Sequence, residues 1–206
     1  MKPLRFATHS SRVQNIAIDH GWLPSARYTN LRDIKTYNNI GFIDIDFKNY
    51  SFQKHLDAVK KHRPHLTVAR DVFNIEELDQ ILAEARQLNL YSEKVIIVPK
   101  DIRFAGQIEK LIPLEFILGY SVPTKYGGTQ LDPSEFKRPT HLLGGRPDVQ
   151  RALAEKINVY SFDCNRFTLD ASFGDYFTGS KFIPHPYGGY DNCIHDSILN
   201  INKLWI

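Results

Sequence analysis

The chain predicts an α/β fold, a TIM-like (β/α)8 barrel, and three observations predict it. Strand-like and helix-like segments alternate almost from end to end, which implies a parallel sheet with helical crossovers. The run Val95-Ile96-Ile97-Val98 is apolar on both faces, as a strand covered on both sides must be. Three strand patterns end in aspartates, and the C-terminal ends of inner strands are where such a barrel keeps its reactive groups.

The elements follow in order. Residues 4–8 read as a strand, and residues 12–20 as a helix with Val13, Ile16 and Ala17 on one face and Gly21 as its stop. Residues 41–47 read as a strand. The helix over 52–62 carries Phe52, Leu56 and Val59 at helical spacing. After a strand over 66–71, Asn74 and Glu77 stand at capping-box spacing before a helix with Leu78, Ile81, Leu82, Ala85 and Leu88 as its apolar stripe. A strand over 94–100, a short helix over 106–112 and a strand over 116–120 come next. A long polar loop (122–139) leads to a strand over 140–143. A Gly144-Gly145 turn, a helix over 147–156 and a strand over 158–162 complete the series.

Seven strands are read in this way. The eighth falls either in the region 22–30 or near 176–182. At 206 residues the barrel is compact beside a typical length of about 250. A doubly wound open sheet is the runner-up, but no GxGxxG turn follows the first strand. Beyond Asp163 the pattern changes. Residues 165–190 are rich in Gly, Phe, Tyr and Pro and read as an irregular loop. Residues 191–205 read as a C-terminal helix with Ile194, Ile198, Ile201 and Trp205 near one face. The whole chain, 1–206, is read as a single barrel domain.

Composition narrows the function classes. A hydrophobic content of 42% suits a packed core rather than disorder. No apolar run has the length of a membrane span, and Met1-Lys2-Pro3-Leu4-Arg5 lacks the apolar stretch of a secretory signal. Cys164 and Cys193 are the two cysteines. Their spacing is not that of a zinc site, and so few thiols suit a reducing cytoplasm. The net charge of +3 permits a nucleic-acid partner without demanding one.

The strand ends carry the chemistry. Along Phe42-Ile43-Asp44-Ile45-Asp46-Phe47 the isoleucines suit the helix-covered outside, so Asp44 and Asp46 are expected to face the lumen. Two acids confined there repel, and one should have a raised pKa. The plain alternative is a solvated strand end. Asp71 shares a face with Thr67 and Ala69, small residues that would leave room for a ligand; a salt bridge or helix cap is the alternative. Asp163 shares a face with Val159 and Ser161. His141 reads as a core histidine.

Four segments in order resemble the tRNA-guanine transglycosylase family. Leu143-Gly144-Gly145-Arg146-Pro147-Asp148, a helix, and Val159-Tyr160-Ser161-Phe162-Asp163-Cys164 are similar to that family's turn, helix and FDC strand. Phe42-Ile43-Asp44 is similar to its LTDSGG strand, and Thr67-Val68-Ala69-Arg70-Asp71 to its VMAFDE strand. Leu118-Gly119-Tyr120-Ser121-Val122-Pro123 is a looser match to LAVGEP. The family's CxCxxC zinc motif has no counterpart, and its IVQGG strand becomes Ile97-Val98-Pro99-Lys100. These departures resemble the small phage and bacterial branch that places 7-deazaguanines in DNA.

The resemblance implies an enzyme without a metal or other cofactor. Asp163 would be the nucleophile at C1′ of a guanosine, and Asp44 or Asp46 the general acid/base. Asp71 would read the base, and the backbone at Ser121 would contact it. DNA, or else tRNA, and a 7-deazaguanine such as preQ0 would be the partners, with a partner subunit or second copy left open. The location would be cytoplasmic, in the host if phage-encoded. Lys100, Lys125 and Arg166 are candidate phosphate contacts, with solvated surface as the alternative. Gly144 and Gly145 would bring backbone to a phosphate or base edge, or form a plain turn. Tyr120, Tyr126 and Phe167 are candidates for base stacking or for the core, and residues 182–190 for a rigid loop over the pocket. A non-catalytic purine- or partner-binding module and an unrelated two-carboxylate hydrolase are the competing readings.

Overall fold

The computed structural model describes residues 2–125 and 127–206, so the stacking candidate Tyr126 lies outside the described residues. Eight parallel strands close into a barrel: β1 (Leu4–Ala7), β2 (Leu23–Arg27), β3 (Phe42–Asp44), β4 (Leu66–Val68), β5 (Lys94–Ile97), β6 (Ile117–Ser121), β7 (Thr140–Leu143) and β8 (Val159–Asp163). β8 returns to pair with β1, with Asp163 beside Phe6. The helices between them are α1 (Ser11–Asp19), α2 (Phe52–His62), α3 (Leu78–Asn89), α4 (Ile108–Leu111) and α5 (Pro147–Leu153). After β8 come α6 (Arg166–Ala171), the antiparallel pair β9 (Asp175–Phe177) and β10 (Phe182–Pro184), and α7 (Tyr190–Leu204).

Helical periodicity accounts for the outer layer. α3 buries Leu78, Ile81, Leu82, Ala85 and Leu88, the stripe expected of it. Asn74 does cap, but it accepts from the Glu76 amide at the head of a 3-10 turn that runs into α3. The eighth strand is β2, the first of the two candidate regions. Its sequence Leu-Pro-Ser-Ala-Arg carries little strand propensity; pairing on both sides with β1 and β3 holds it extended.

One reading of the C-terminal part is corrected. Residues 165–190 are not an irregular loop, because they hold α6 and the β9–β10 pair. That pair is tied down by α7: Ser197 accepts from the Phe177 amide at 2.9 Å, and Asn200 donates to the Phe177 carbonyl at 2.9 Å. His185 meets Asp196 at 3.0 Å. The segment 182–190 is thus anchored on α7.

The lumen is filled from below. Phe6, Phe42 and His141 pack ring against ring, with centroids 5.1 to 6.0 Å apart. A Cβ on Gly119 would lie 2.7 Å from methyls of both Ile96 and Val98, so the lumen at this level admits only glycine.

β4 departs from regular pairing. Val68 lies beside Ile96, yet Val72 lies beside Pro99. Four steps on one strand match three on the other, which is a bulge. It reverses the facing of the residues beyond it. Thr67, before the bulge, pairs with Ile43 and points outward with it, where its hydroxyl donates to the Ile43 carbonyl at 2.8 Å and meets His55 Nε2 at 2.7 Å. This corrects the expectation that Thr67 opens space in the lumen: Val68 faces in, and Asp71 is turned inward by the bulge.

Candidate active site

Partners lying side by side in neighbouring strands face the same way. That rule carries one residue from each strand, or from just past its end, to the upper rim of the lumen: Thr8, Arg27, Asp44, Asp71, Lys100, Ser121, Leu143 and Asp163. Five of the eight are charged.

Asp163 ends β8 with 14% of its side chain exposed. Its Oδ1 accepts from the Gly144 amide at 3.0 Å and lies 3.4 Å from His141 Nε2. His141 is fully buried, and its Nδ1 meets the Ser161 hydroxyl at 2.7 Å. Gln150, fully buried on α5, donates to the carbonyls of Gly144 at 2.7 Å and of Asp163 at 2.8 Å. Strand end and turn are therefore locked together. The glycine turn was expected to approach a phosphate or a base. It serves the protein's own carboxylate, because Gly144, at φ +61°, turns its N–H onto Asp163.

Asp44 ends β3 beside Arg27 of β2. Its Oδ1 accepts from the Ile45 amide at 2.8 Å, and Oδ2 is 3.8 Å from Arg27 Nε. Burial, then the negative charge of Asp163, pushes its carboxyl up to about 7; the Ile45 amide and Arg27 oppose that rise. Asp71 adds a smaller push in the same direction.

Asp71 and Lys100 form an ion pair at 3.7 Å, with 20% and 7% of their side chains exposed. Burial raises the Asp71 pKa and lowers that of Lys100, and each partner opposes the other's shift.

Asp44, Asp71 and Asp163 thus come together, and Lys100 joins them. Lys100, expected as a phosphate contact, has its ammonium 3.7 Å from Asp71. Asp46 is not brought in. β3 ends at Asp44, and Asp46 lies in the turn beyond it, accepting from the Lys48 amide at 3.1 Å. Arg166 pairs with Asp170 on its own helix at 2.7 Å and sits over the Phe182 ring. Both backbone groups of Ser121 are taken by Thr129: the amide donates to the Thr129 hydroxyl at 3.1 Å, and the carbonyl accepts from the Thr129 amide at 2.9 Å. Tyr120 and Phe167 are core residues, packed edge-on against Phe136 and Trp22. Lys125 lies in the β6–β7 connection. Cys164 and Cys193 are buried free thiols.

Sequence reasoning missed Arg27 and Gln150 and placed His141 only in the core. The alternation His141, Leu143 along β7 against Ser161, Asp163 along β8 held the signal for His141. Arg27 was hidden in the strand with weak propensity.

The profile of a family described as "Family of unknown function (DUF6610)" matches residues 17–206. No curated protein matches the sequence. Among solved structures, the X-ray crystal structure of the YdjI aldolase from Escherichia coli K12 is similar, with a TM-score of 0.57 and 12% identity over 99% of this chain and 91% of that one. This likeness shows the barrel fold alone. No helix among the described residues is long and apolar enough to cross a membrane.

Proposed function

The chain belongs to that family of unknown function, and we propose that its barrel exchanges a guanine in DNA, rather than in tRNA, for a 7-deazaguanine such as preQ0. One observation carries the reading. Two carboxyl groups share one end of the lumen: Asp163 accepts from the Gly144 amide, and burial with the charge of Asp163 pushes Asp44 up to about 7. A carboxyl raised in this way suits the acid, which leaves Asp163 as the nucleophile.

In the proposed reaction an Asp163 oxygen forms a bond to C1′ as the bond from C1′ to the base nitrogen breaks. The electron pair leaves with the guanine, and protonated Asp44 donates to it. The incoming deazaguanine then attacks C1′ through its ring N–H. The proton passes to Asp44, and Asp163 is released. Asp71 supplies an acceptor and Lys100 a donor beside it, which suits the N–H and carbonyl edge of a guanine. Such chemistry needs the base outside the stack.

The test is incubation of the full chain with guanine-containing DNA or tRNA and labelled preQ0. Label is expected in DNA with wild type and absent with Asp163→Ala. Tight binding of the free base with no incorporation into either nucleic acid would overturn the enzyme reading in favour of a purine-binding module.

A further inference from the structure

A cavity of about 400 Å³ shares Thr8 and Arg27 with the rim of the lumen and is lined further by His9, Ser10, Thr29, Asn30 and Asp33. Its place in the barrel is informative. The closing order runs β8, β1, β2, β3, so the cavity stands above the two strands that separate Asp163 from Asp44.

The lining is polar and donor-rich. Arg27 is half exposed, and its ion pair with Asp44 at 3.8 Å is longer than a hydrogen bond, so its guanidinium makes no side-chain hydrogen bond among the described residues. The hydroxyls of Ser10 and Thr29 lie in the same wall. Ser10 precedes α1 and gives no side-chain cap; its hydroxyl meets His9 Nδ1 at 3.2 Å. The acid in the wall, Asp33, is engaged by Asn30 at 2.8 Å and Arg32 at 3.5 Å. A planar guanidinium with hydroxyl donors around it matches a phosphate group.

We infer that this cavity is a phosphate subsite that binds the phosphate attached to the reacting nucleoside's sugar, with Arg27 as its principal ligand. The inference rests on the nucleoside reading of the two acids. Arg27 then has two faces, Nε toward Asp44 and its terminal nitrogens toward the phosphate. Substrate binding thereby places C1′ by its neighbouring phosphate, a contact that positions without reading sequence.

The test compares 2′-deoxyguanosine with its 5′-monophosphate by calorimetry on the full chain. Wild type is expected to hold the nucleotide about tenfold more tightly, a difference that falls with salt. Arg27→Gln should close that gap, read as the ratio of nucleotide to nucleoside affinity within the variant. Thr29→Val, at an exposed position, should narrow it about threefold and serves if the arginine variant does not fold. An oligodeoxynucleotide with a neutral methylphosphonate beside its guanosine should lose about the same tenfold on wild type. Equal affinity of wild type for nucleoside and nucleotide, or an unchanged gap in Arg27→Gln, overturns the subsite; base exchange, measured separately with labelled preQ0, would stand. A chain that binds neither compound and incorporates no label overturns both readings.

Discussion

The Gly144 amide donates to Oδ1 of Asp163 across 3.0 Å. A turn between two elements thus aims the carboxylate at the end of the next strand. The neighbouring Gly145 sits at φ +89°, and a Cβ there would lie 2.4 Å from Val122 Cγ1. Gly145→Ala is expected to destabilise the chain by about 2–3 kcal/mol, combining strain and clash. Gly144→Ala meets open space at φ +61° and should cost about 1–2 kcal/mol. Urea unfolding of the two variants checks the order; equal costs would show that the turn is not packed as described.

The raised carboxyl of Asp44 makes both stability and rate depend on pH. A carboxyl raised in the folded state contributes stability that is complete below its unfolded value of 3.8 and is lost as pH rises through about 7. Asp44→Asn removes that loss. The variant should be more stable than wild type by about 2–4 kcal/mol at pH 8, with the difference vanishing near pH 3.5. Base release, which needs the protonated acid, should fall as pH rises past about 7. Arg27 holds this carboxyl down, so Arg27→Gln should move that fall to higher pH. Single-turnover release between pH 5 and 9, a range spanning the about 7 of Asp44, reads both effects.

Lys100 and Asp71 stand or fall together. Removing the ammonium by Lys100→Met leaves a buried carboxylate without its cation and should cost about 3–5 kcal/mol. The pair Lys100→Met, Asp71→Asn should recover most of that loss while leaving base binding weak. Thermal and urea unfolding of the two singles and the double measure the coupling. Additive costs would mean that the pair does not interact.

His55 reports on the outer layer. It is fully buried, with the Thr67 hydroxyl at 2.7 Å and the Tyr50 hydroxyl at 3.2 Å, and burial lowers its pKa to about 4. A histidine kept neutral in this way gives stability that is complete above about pH 6.5 and is lost as pH falls toward 4. Wild type should lose up to about 3 kcal/mol over that interval from this group. His55→Gln should flatten the slope. An imidazole NMR titration that shows His55 protonating near 6.5 in the folded chain would contradict its burial against Thr67.

Much of the barrel was legible because its signals are local. Apolar spacing in α2 and α3, the run Val95 to Val98, and an acid after each of three short strands need only neighbours in sequence to be read. The candidates Asp44, Asp71 and Asp163 follow from that pattern, and the structure brings all three to one end of the lumen. β2 was legible only as one of two choices, since Pro24, Ser25 and Ala26 do not favour a strand and closure with β1 and β3 imposes it.

The amino-acid order alone set the succession of strands and helices and the strand ends that carry carboxylates, because hydrophobic periodicity and strand length act over a few residues. Packing between distant segments set which way those groups face and what they meet. The extra residue after β4 turned Asp71 inward, and pairing with Ile43 turned Thr67 out. The early end of β3 left Asp46 in a turn. Charge attraction holds Lys100 to Asp71, and the glycine turn donates to Asp163. Each of these depends on register and contact between segments far apart in the chain, and no local pattern encodes them.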